Sequence, residues 1–234
     1  MLSQDFKDNI LKYDVHCHII PGVDDGARDF CEALELIESA YLQGIRVFYA
    51  TPHYSRHQNA ETIRKLYNQL IDTLKIEKPE IADNLEIRLG NELYYHSELA
   101  ERLDEGQALT MGDSRYILIE FDPAIGYSEL YLQLREIINA GYKPIIAHME
   151  RYAVLESYDN IGELKRLGCC MQMNYESLTG NGILTDLFNR EVRRCRKLVA
   201  EGYIDLFGTD MHRRDFRFPN ILKALEWIKK TNEQ

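Results

Sequence analysis

An α/β barrel, closed or nearly closed, is the fold class that the 234-residue sequence predicts, and three observations carry it. Strand-like and helix-like patterns alternate about seven times, the order that produces a parallel sheet covered by helices. His, Asp or Glu stands at the downstream end of six of those seven strands, where parallel barrels collect their chemistry. An open doubly wound sheet is the alternative, but no Gly-rich phosphate loop follows the first strand.

The first strand carries Asp14-Val15-His16-Cys17-His18 and a loop closed by Asp24-Asp25-Gly26. Side chains two apart on a strand share a face, so His16 and His18 point together and Cys17 turns into the core. Asp29 and Glu32 read as a capping box opening a helix through Phe30, Ala33, Leu34, Ile37 and Tyr41, which ends at Gly44. Ile45 to Ala50 is a second strand, delivering Thr51-Pro52-His53. A helix from Asn59 follows, with Ile63, Leu66, Tyr67, Leu70 and Leu74 on one face. A strand over Leu85 to Gly90 delivers Asn91-Glu92, and Tyr116 to Ile119 ends on Glu120. The next helix runs through Leu130, Leu134, Ile137 and Ile138 to Gly141, and Lys143 to Ala147 delivers His148 and Arg151. A helix near Ile161 to Leu167 leads to a strand, Cys169 to Asn174, that ends without a ligand. A long helix with Leu187, Phe188, Cys195, Leu198 and Val199 inward stops at Gly202. The seventh strand, Tyr203 to Phe207, delivers Gly208-Thr209-Asp210-Met211-His212, and Pro219 is expected to open the last helix.

Composition narrows the function. An apolar fraction of 45% is ample for a core, and a chain of this length is expected to form one domain over residues 1–234. With 28 Lys and Arg against 38 Asp and Glu, the net charge of −10 disfavours nonspecific binding to nucleic acid or anionic membrane. Met1 to Leu11 lacks a basic region followed by an apolar run, and no segment reaches membrane-spanning length, so neither a signal peptide nor membrane insertion is expected. Five irregularly spaced cysteines make neither a disulfide framework nor a Cys-x-x-Cys zinc site, and the cytoplasm is the expected compartment. None of them is followed six residues later by arginine, as a cysteine-dependent phosphatase requires.

The strand ends together supply His16, His18, Asp25, His53, Glu92, Glu120, His148, Asp210 and His212. Any one of these could be a helix cap or a buried, hydrogen-bonded group, but nine at corresponding places point to a metal cluster. Nine N/O donors exceed the three or four that one zinc takes, so two or three divalent ions are expected, with a carboxylate such as Glu92 bridging. Imidazole and carboxylate without thiolate suit Mn, Fe or Zn. Such a site activates water and clamps the oxygens of a phosphoryl displacement. Tyr54, Tyr94, Tyr95 and Tyr152 beside these residues are expected chiefly to pack around the mouth, and Arg56 and His57 to lie in a solvated loop.

The stretches DVHCHIIPGVDDGARD, TPHY, GNELYY, YILIEF, AHMERY, MNYESLTG and GTDMHRRDFRFPN, spread from Tyr13 to Asn220, resemble the polymerase and histidinol phosphatase (PHP) superfamily. Within it they resemble the bacterial tyrosine phosphatases encoded with capsule and exopolysaccharide genes. The resemblance implies a distorted TIM-like barrel of seven βα units holding three metals, with Mn expected and Fe, Zn or Mg as alternatives. It assigns His16, His18, Glu92 and Asp210 to one metal, Glu92, Glu120 and His148 to a second, and Asp25, His53 and His212 to a third. Arg151 and Arg217 match the arginines such enzymes place near substrate phosphate. The implied reaction is hydrolysis of phosphotyrosine on the tail of a bacterial tyrosine kinase that regulates polysaccharide export. A small-molecule PHP phosphoesterase such as a histidinol phosphatase is the alternative. An amidohydrolase also begins with His-x-His, but often bridges its metals with a lysine where this chain has Glu120. A metal-binding module without turnover is disfavoured by the two arginines.

Overall fold

The first strand, β1 (Tyr13–Cys17), sets the frame because its neighbours on both sides place the later loops. In this computed structural model, which describes residues 10–56, 59–179 and 189–232, β1 pairs in parallel with β2 (Val47–Ala50), and β2 with β3 (Glu86–Leu89). A second parallel sheet runs in chain order through β4 (Glu92–Tyr94), β5 (Tyr116–Glu120), β6 (Lys143–Ile146), β7 (Cys170–Asn174) and β8 (Leu206–Gly208). The described strands therefore form two parallel sheets rather than one continuous closed ladder.

The two sheets meet at both edges. On one side the Asp210 N–H donates to the His16 carbonyl at 2.8 Å and the His18 N–H to the Met211 carbonyl at 2.9 Å. On the other, the Glu92 N–H donates to Pro52 O and the Tyr54 N–H to Glu92 O, at 3.1 and 2.9 Å. This second junction corrects the single strand expected before Glu92. The chain changes sheets at Gly90-Asn91, where the buried Asn91 amide donates to Pro52 O and accepts from the Leu109 N–H, both at 2.9 Å. Those bonds occupy the chain between β3 and β4 and fix where Glu92 emerges.

Helices follow the apolar periodicity. Helix α1 (Phe30–Leu42) buries Ala33, Leu34, Leu36, Ile37 and Ala40, and Gly44 follows its end with a φ of 114°. Asp29 accepts from the Glu32 N–H as expected, but the Glu32 carboxylate reaches past it to the Arg28 N–H and also binds the Arg28 guanidinium and the Arg214 N–H. Helix α2 (Ala60–Glu77) is capped by Asn59 and buries Ile63, Leu70 and Leu74, while Leu66 and Tyr67 are half-buried. Short helices α3 (Pro79–Ala82) and α4 (Leu99–Asp104) precede α5 (Tyr127–Asn139) and α6 (Tyr158–Leu167). In α7 (Arg190–Ala200) Cys195 and Leu198 are buried, whereas the expected inward positions Leu187 and Phe188 lie outside the described residues.

Helix α8 is Leu222–Asn232, so Pro219 precedes it rather than opening it. The reason is tertiary: the Gln43 side chain, at the end of α1, donates to Pro219 O at 2.8 Å and accepts from the Ile221 N–H at 2.7 Å, holding these residues as a loop. All five cysteines are free, and Cys17 is buried in the core as its strand position requires. Among the described residues no helix is long and apolar enough to cross a membrane.

Candidate metal centre

The β1–β2 ladder shifts register between Asp14 and Cys17, an irregularity that re-aims side chains at the strand end. His16 and His18 converge there, their Nε2 atoms 3.2 Å apart. The turn behind them is shaped by Asp24 and Gly26: Asp24 Oδ1 accepts from the Gly26 N–H, and a side chain at Gly26 would collide with the backbone of His18. Asp24 Oδ2 lies 2.8 Å from His18 Nδ1 and accepts from the His53 N–H, so one carboxylate orients two histidines.

Glu92, at the start of β4 and 2% exposed, faces four imidazoles. Its Oε2 lies 3.1 Å from His16 Nε2, 3.3 Å from His18 Nε2 and 3.1 Å from His53 Nδ1, and its Oε1 lies 3.0 Å from His148 Nε2. Glu120 Oε1, at the end of β5, is 3.6 Å from His148 Nε2. Asp210 Oδ1, past β8, stands 3.6 Å from both His16 Nε2 and His18 Nε2. The exposed Asp25 is 3.6 Å from the Nε2 atoms of His53 and His212. All nine residues singled out in the sequence thus come together in overlapping groups: His18 with Asp25, His53 and His212; His16 with His18 and Asp210; His16 with Glu92 and His148; and His53 with Glu92 and Glu120.

Arg151 and Arg217 arrive at the same place, donating to Asp210 Oδ2 at 2.7 and 2.9 Å. His148, Asp210 and Arg217 have positive φ angles of 32°, 52° and 53°. Among the described residues no other non-glycine residue has this conformation, and backbone strain of this kind gathers where the surrounding structure over-determines a site.

The electrostatics are those of a crowded, desolvated cluster. Burial opposes the charge on Glu92, yet the charge of His16 and hydrogen bonds from His148, His16 and His18 hold it well below the usual carboxylate range. Burial and the charge of Glu92 push Glu120 up. His18 rises to about 10 because its bonds to Asp24 and Glu92 outweigh burial, whereas burial and the neighbouring charge of His18 lower His212 to about 4. Divalent cations fit this donor set. Imidazole nitrogens and carboxylate oxygens converge in overlapping groups, and no thiolate is among them. Several outer ring nitrogens are backed as metal-binding histidines usually are: His18 Nδ1 by Asp24, His16 Nδ1 by Gln172 Oε1 at 3.3 Å, and His212 Nδ1 by the Asp210 carbonyl at 2.8 Å.

Sequence reasoning passed over three members of the site. Asp24 stands beside the expected ligand Asp25 and is not among the nine expected donors. Gln172 and Asn174 lie on β7, whose end lacks His, Asp or Glu; the available signal was two amides alternating with Met171 and Met173 in a strand that is almost wholly buried. The tyrosines divide. Tyr152 is buried and its hydroxyl accepts from the Phe121 N–H, Tyr54 and Tyr95 are half-buried, and Tyr94 is 51% exposed. Arg56 is exposed near Glu98, at 3.6 Å, and His57 lies outside the described residues.

Comparison with known proteins gives consistent matches. A family model described as capsular polysaccharide synthesis, CpsB/CapC, matches residues 12–234. The chain is 32% identical over 216 residues to the tyrosine-protein phosphatase CpsB of Streptococcus agalactiae, covering 92% of this chain and 88% of that one. It is 32% identical over 226 residues to the tyrosine-protein phosphatase YwqE of Bacillus subtilis, covering 91% and 83%. A solved structure from work on YwqE of Bacillus subtilis and CpsB of Streptococcus pneumoniae, described as unique metal-dependent tyrosine phosphatases, matches with a TM-score of 0.79 at 30% identity, over 93% of this chain and 86% of that one.

Proposed function

The chain belongs to the CpsB/CapC family of capsular polysaccharide synthesis, and from that membership we propose that it is a metal-dependent protein-tyrosine phosphatase, a phosphoric monoester hydrolase. One observation carries the reading: nine convergent His, Asp and Glu side chains stand beside two arginines that meet on a single carboxylate oxygen.

His16, His18, Glu92 and Asp210 would hold one ion; Glu92, Glu120 and His148 a second; Asp25, His53 and His212 a third. Mn is the proposed metal, with Fe, Zn and Mg as alternatives that the same donors accept. Divalent ions held there lower the pKa of water and act as Lewis acids toward phosphoryl oxygens. Arg151 and Arg217 bind and orient the phosphoryl group, their planar, permanently charged forks matching its oxygens. The phenolate leaving group, with a pKa of about 10, needs less help from a proton donor than an alkoxide does.

The finer fold belongs to the same reading. The two sheets are arcs of one distorted TIM-like barrel in a single domain. The hydrogen bonds that join β1 to the segment after β8, and the segment after β2 to β4, support it. Counting β3 and β4 as one interrupted strand leaves seven βα units, because no helix lies between them. The proposed setting is the cytoplasm, supported by five free thiols, and the proposed partner is the phosphotyrosine-bearing tail of a bacterial tyrosine kinase, which the capsule family makes the natural substrate.

Phosphate release from phosphotyrosine peptide, phosphoserine peptide and histidinol phosphate tests this for the wild type and His148→Ala. Release from phosphotyrosine alone is expected, lost in the variant and on chelation and regained with Mn. A preference for histidinol phosphate would overturn the substrate, and turnover that survives chelation would overturn the metal reading.

A further inference from the structure

We propose that Gln172 and Asn174 are positioning residues, forming an amide relay from β7 that fixes which ring nitrogen of His16 carries its proton and holds Asp210 under the two arginines. The proposal rests on the metal-centre reading above.

Its direction follows from one unambiguous donor. The backbone N–H of His148 can only donate, so the Gln172 atom 2.7 Å from it is the amide oxygen. His16 Nδ1 lies 3.3 Å from that same oxygen and therefore carries the proton, leaving the lone pair on Nε2. That is the nitrogen facing Glu92, His18 and Asp210. With its oxygen assigned, Gln172 turns its NH2 group the other way and donates to Asn174 Oδ1 at 2.9 Å. Asn174 must then present its own NH2 group onward, and it donates to Asp210 Oδ2 at 2.9 Å.

Asp210 Oδ2 thus receives three donors, from Asn174, Arg151 and Arg217, while its Oδ1 is left facing His16 and His18. The two ends of the relay do different jobs. Gln172 sets a ligand nitrogen, and Asn174 sets the carboxylate on which the phosphate-binding arginines rest. Gln172 is fully buried and lies against Gly208, where an added Cβ would fall 3.0 Å from its Nε2, and Asn174 is buried beside it. The strand whose end carries no acid or histidine therefore still serves the centre, through amides that orient groups on β1 and in the segments after β6 and β8.

The test uses the full 15N-labelled chain loaded with diamagnetic Zn(II), in which a long-range 1H–15N correlation spectrum reads each ring nitrogen. Expected is a proton on His16 Nδ1 in the wild type. Gln172→Met, close in size and apolar, should weaken Zn(II) and Mn(II) affinity by about 10- to 100-fold in competition with a chelator, as loss of such supporting bonds usually does. Gln172→Glu keeps the acceptor and should recover most of that affinity. Asn174→Ala should instead raise KM for an aryl phosphate while changing metal affinity less than Gln172→Met does. A proton on His16 Nε2 in the wild type, or a Gln172→Met protein with wild-type affinities, would overturn the relay. The spectrum needs no variant to fold, so the proposal stays testable if Gln172→Met does not. A protein with the expected spectrum and affinities but no phosphatase activity would sink the proposed function and leave the relay standing.

Discussion

Arg217 shows at the level of one residue how this site trades stability for placement. Its φ of 53° is a conformation that costs a non-glycine residue about 1–2 kcal/mol, and it brings the guanidinium onto Asp210 Oδ2 with its carbon 4.9 Å from the centroid of the Phe216 ring. Arg217→Gly and Arg217→Ala both delete the guanidinium, but glycine accepts the backbone freely. The glycine variant should melt higher, by about 1 kcal/mol at the midpoint, in thermal unfolding of the two proteins side by side. Both should lose about 10²- to 10³-fold in kcat/KM toward a phosphotyrosine peptide while metal content by elemental analysis stays that of the wild type. Equal melting of the two variants would mean that the left-handed backbone stores no strain. The nine donors were legible as residues, because parallel α/β proteins gather chemistry at strand ends, and the two arginines through the family resemblance; Gln172 and Asn174 were not, since a neutral amide shows its role only through the partners that folding gives it.

Among the elements, α1 links the rim of the site to the scaffold through Glu32. Its carboxylate binds Arg28 twice through the guanidinium and accepts from the backbone N–H of Arg28 and Arg214, so the start of the helix is tied to the turn that carries Arg217. The Arg28 hydrogen bonds hold the Glu32 pKa down, from 4.5 to about 2. A carboxyl whose folded pKa lies below its unfolded one adds stability above the unfolded value and loses it as pH falls through the folded value. The melting-temperature gap between wild type and Glu32→Gln should therefore be full above pH 4.5 and close progressively toward pH 2, read from melts across that range. A gap that does not vary with pH would assign the variant's effect to lost hydrogen-bond geometry alone. Capping and periodicity placed both ends of α1, the start of α2 and the end of α5 nearly to the residue. The start of α8 departs from the sequence expectation because Pro219 favours a first helical position locally while Gln43, remote in sequence, holds it in a loop.

For the whole molecule, the site sits where the two sheets meet, so its integrity and the global fold are coupled. At the β1–β8 edge, a Cβ on Gly208 would fall 2.5 Å from the Cβ of His16. Gly208→Ala should destabilise the protein by about 1–3 kcal/mol through overpacking and weaken metal binding together, measured by denaturant unfolding and metal titration on one preparation. If stability fell with metal affinity intact, the edge would not position His16. Ions held by donors from both sheets would bind the native state alone, so chelation should lower the melting temperature, and metal at about 100 times its Kd should restore about 2.7 kcal/mol. Unchanged melting on chelation would show that the donor cluster is stable without its ions.

Alternating apolar patterns, caps and the His, Asp and Glu residues after most strands determined by themselves that this is a parallel α/β protein with a metal-type donor set, because each of those signals is local, a strand and the loop or helix that follows it. Tertiary structure alone decided that the strands divide into two sheets at Gly90-Asn91, that Glu92 is the carboxylate facing four imidazoles, that Arg151 and Arg217 share one oxygen of Asp210, and that β7 contributes through amides. The physical reason is the same in each case: these outcomes depend on hydrogen bonds between residues far apart in the chain, whose geometry exists only once the sheets have come together.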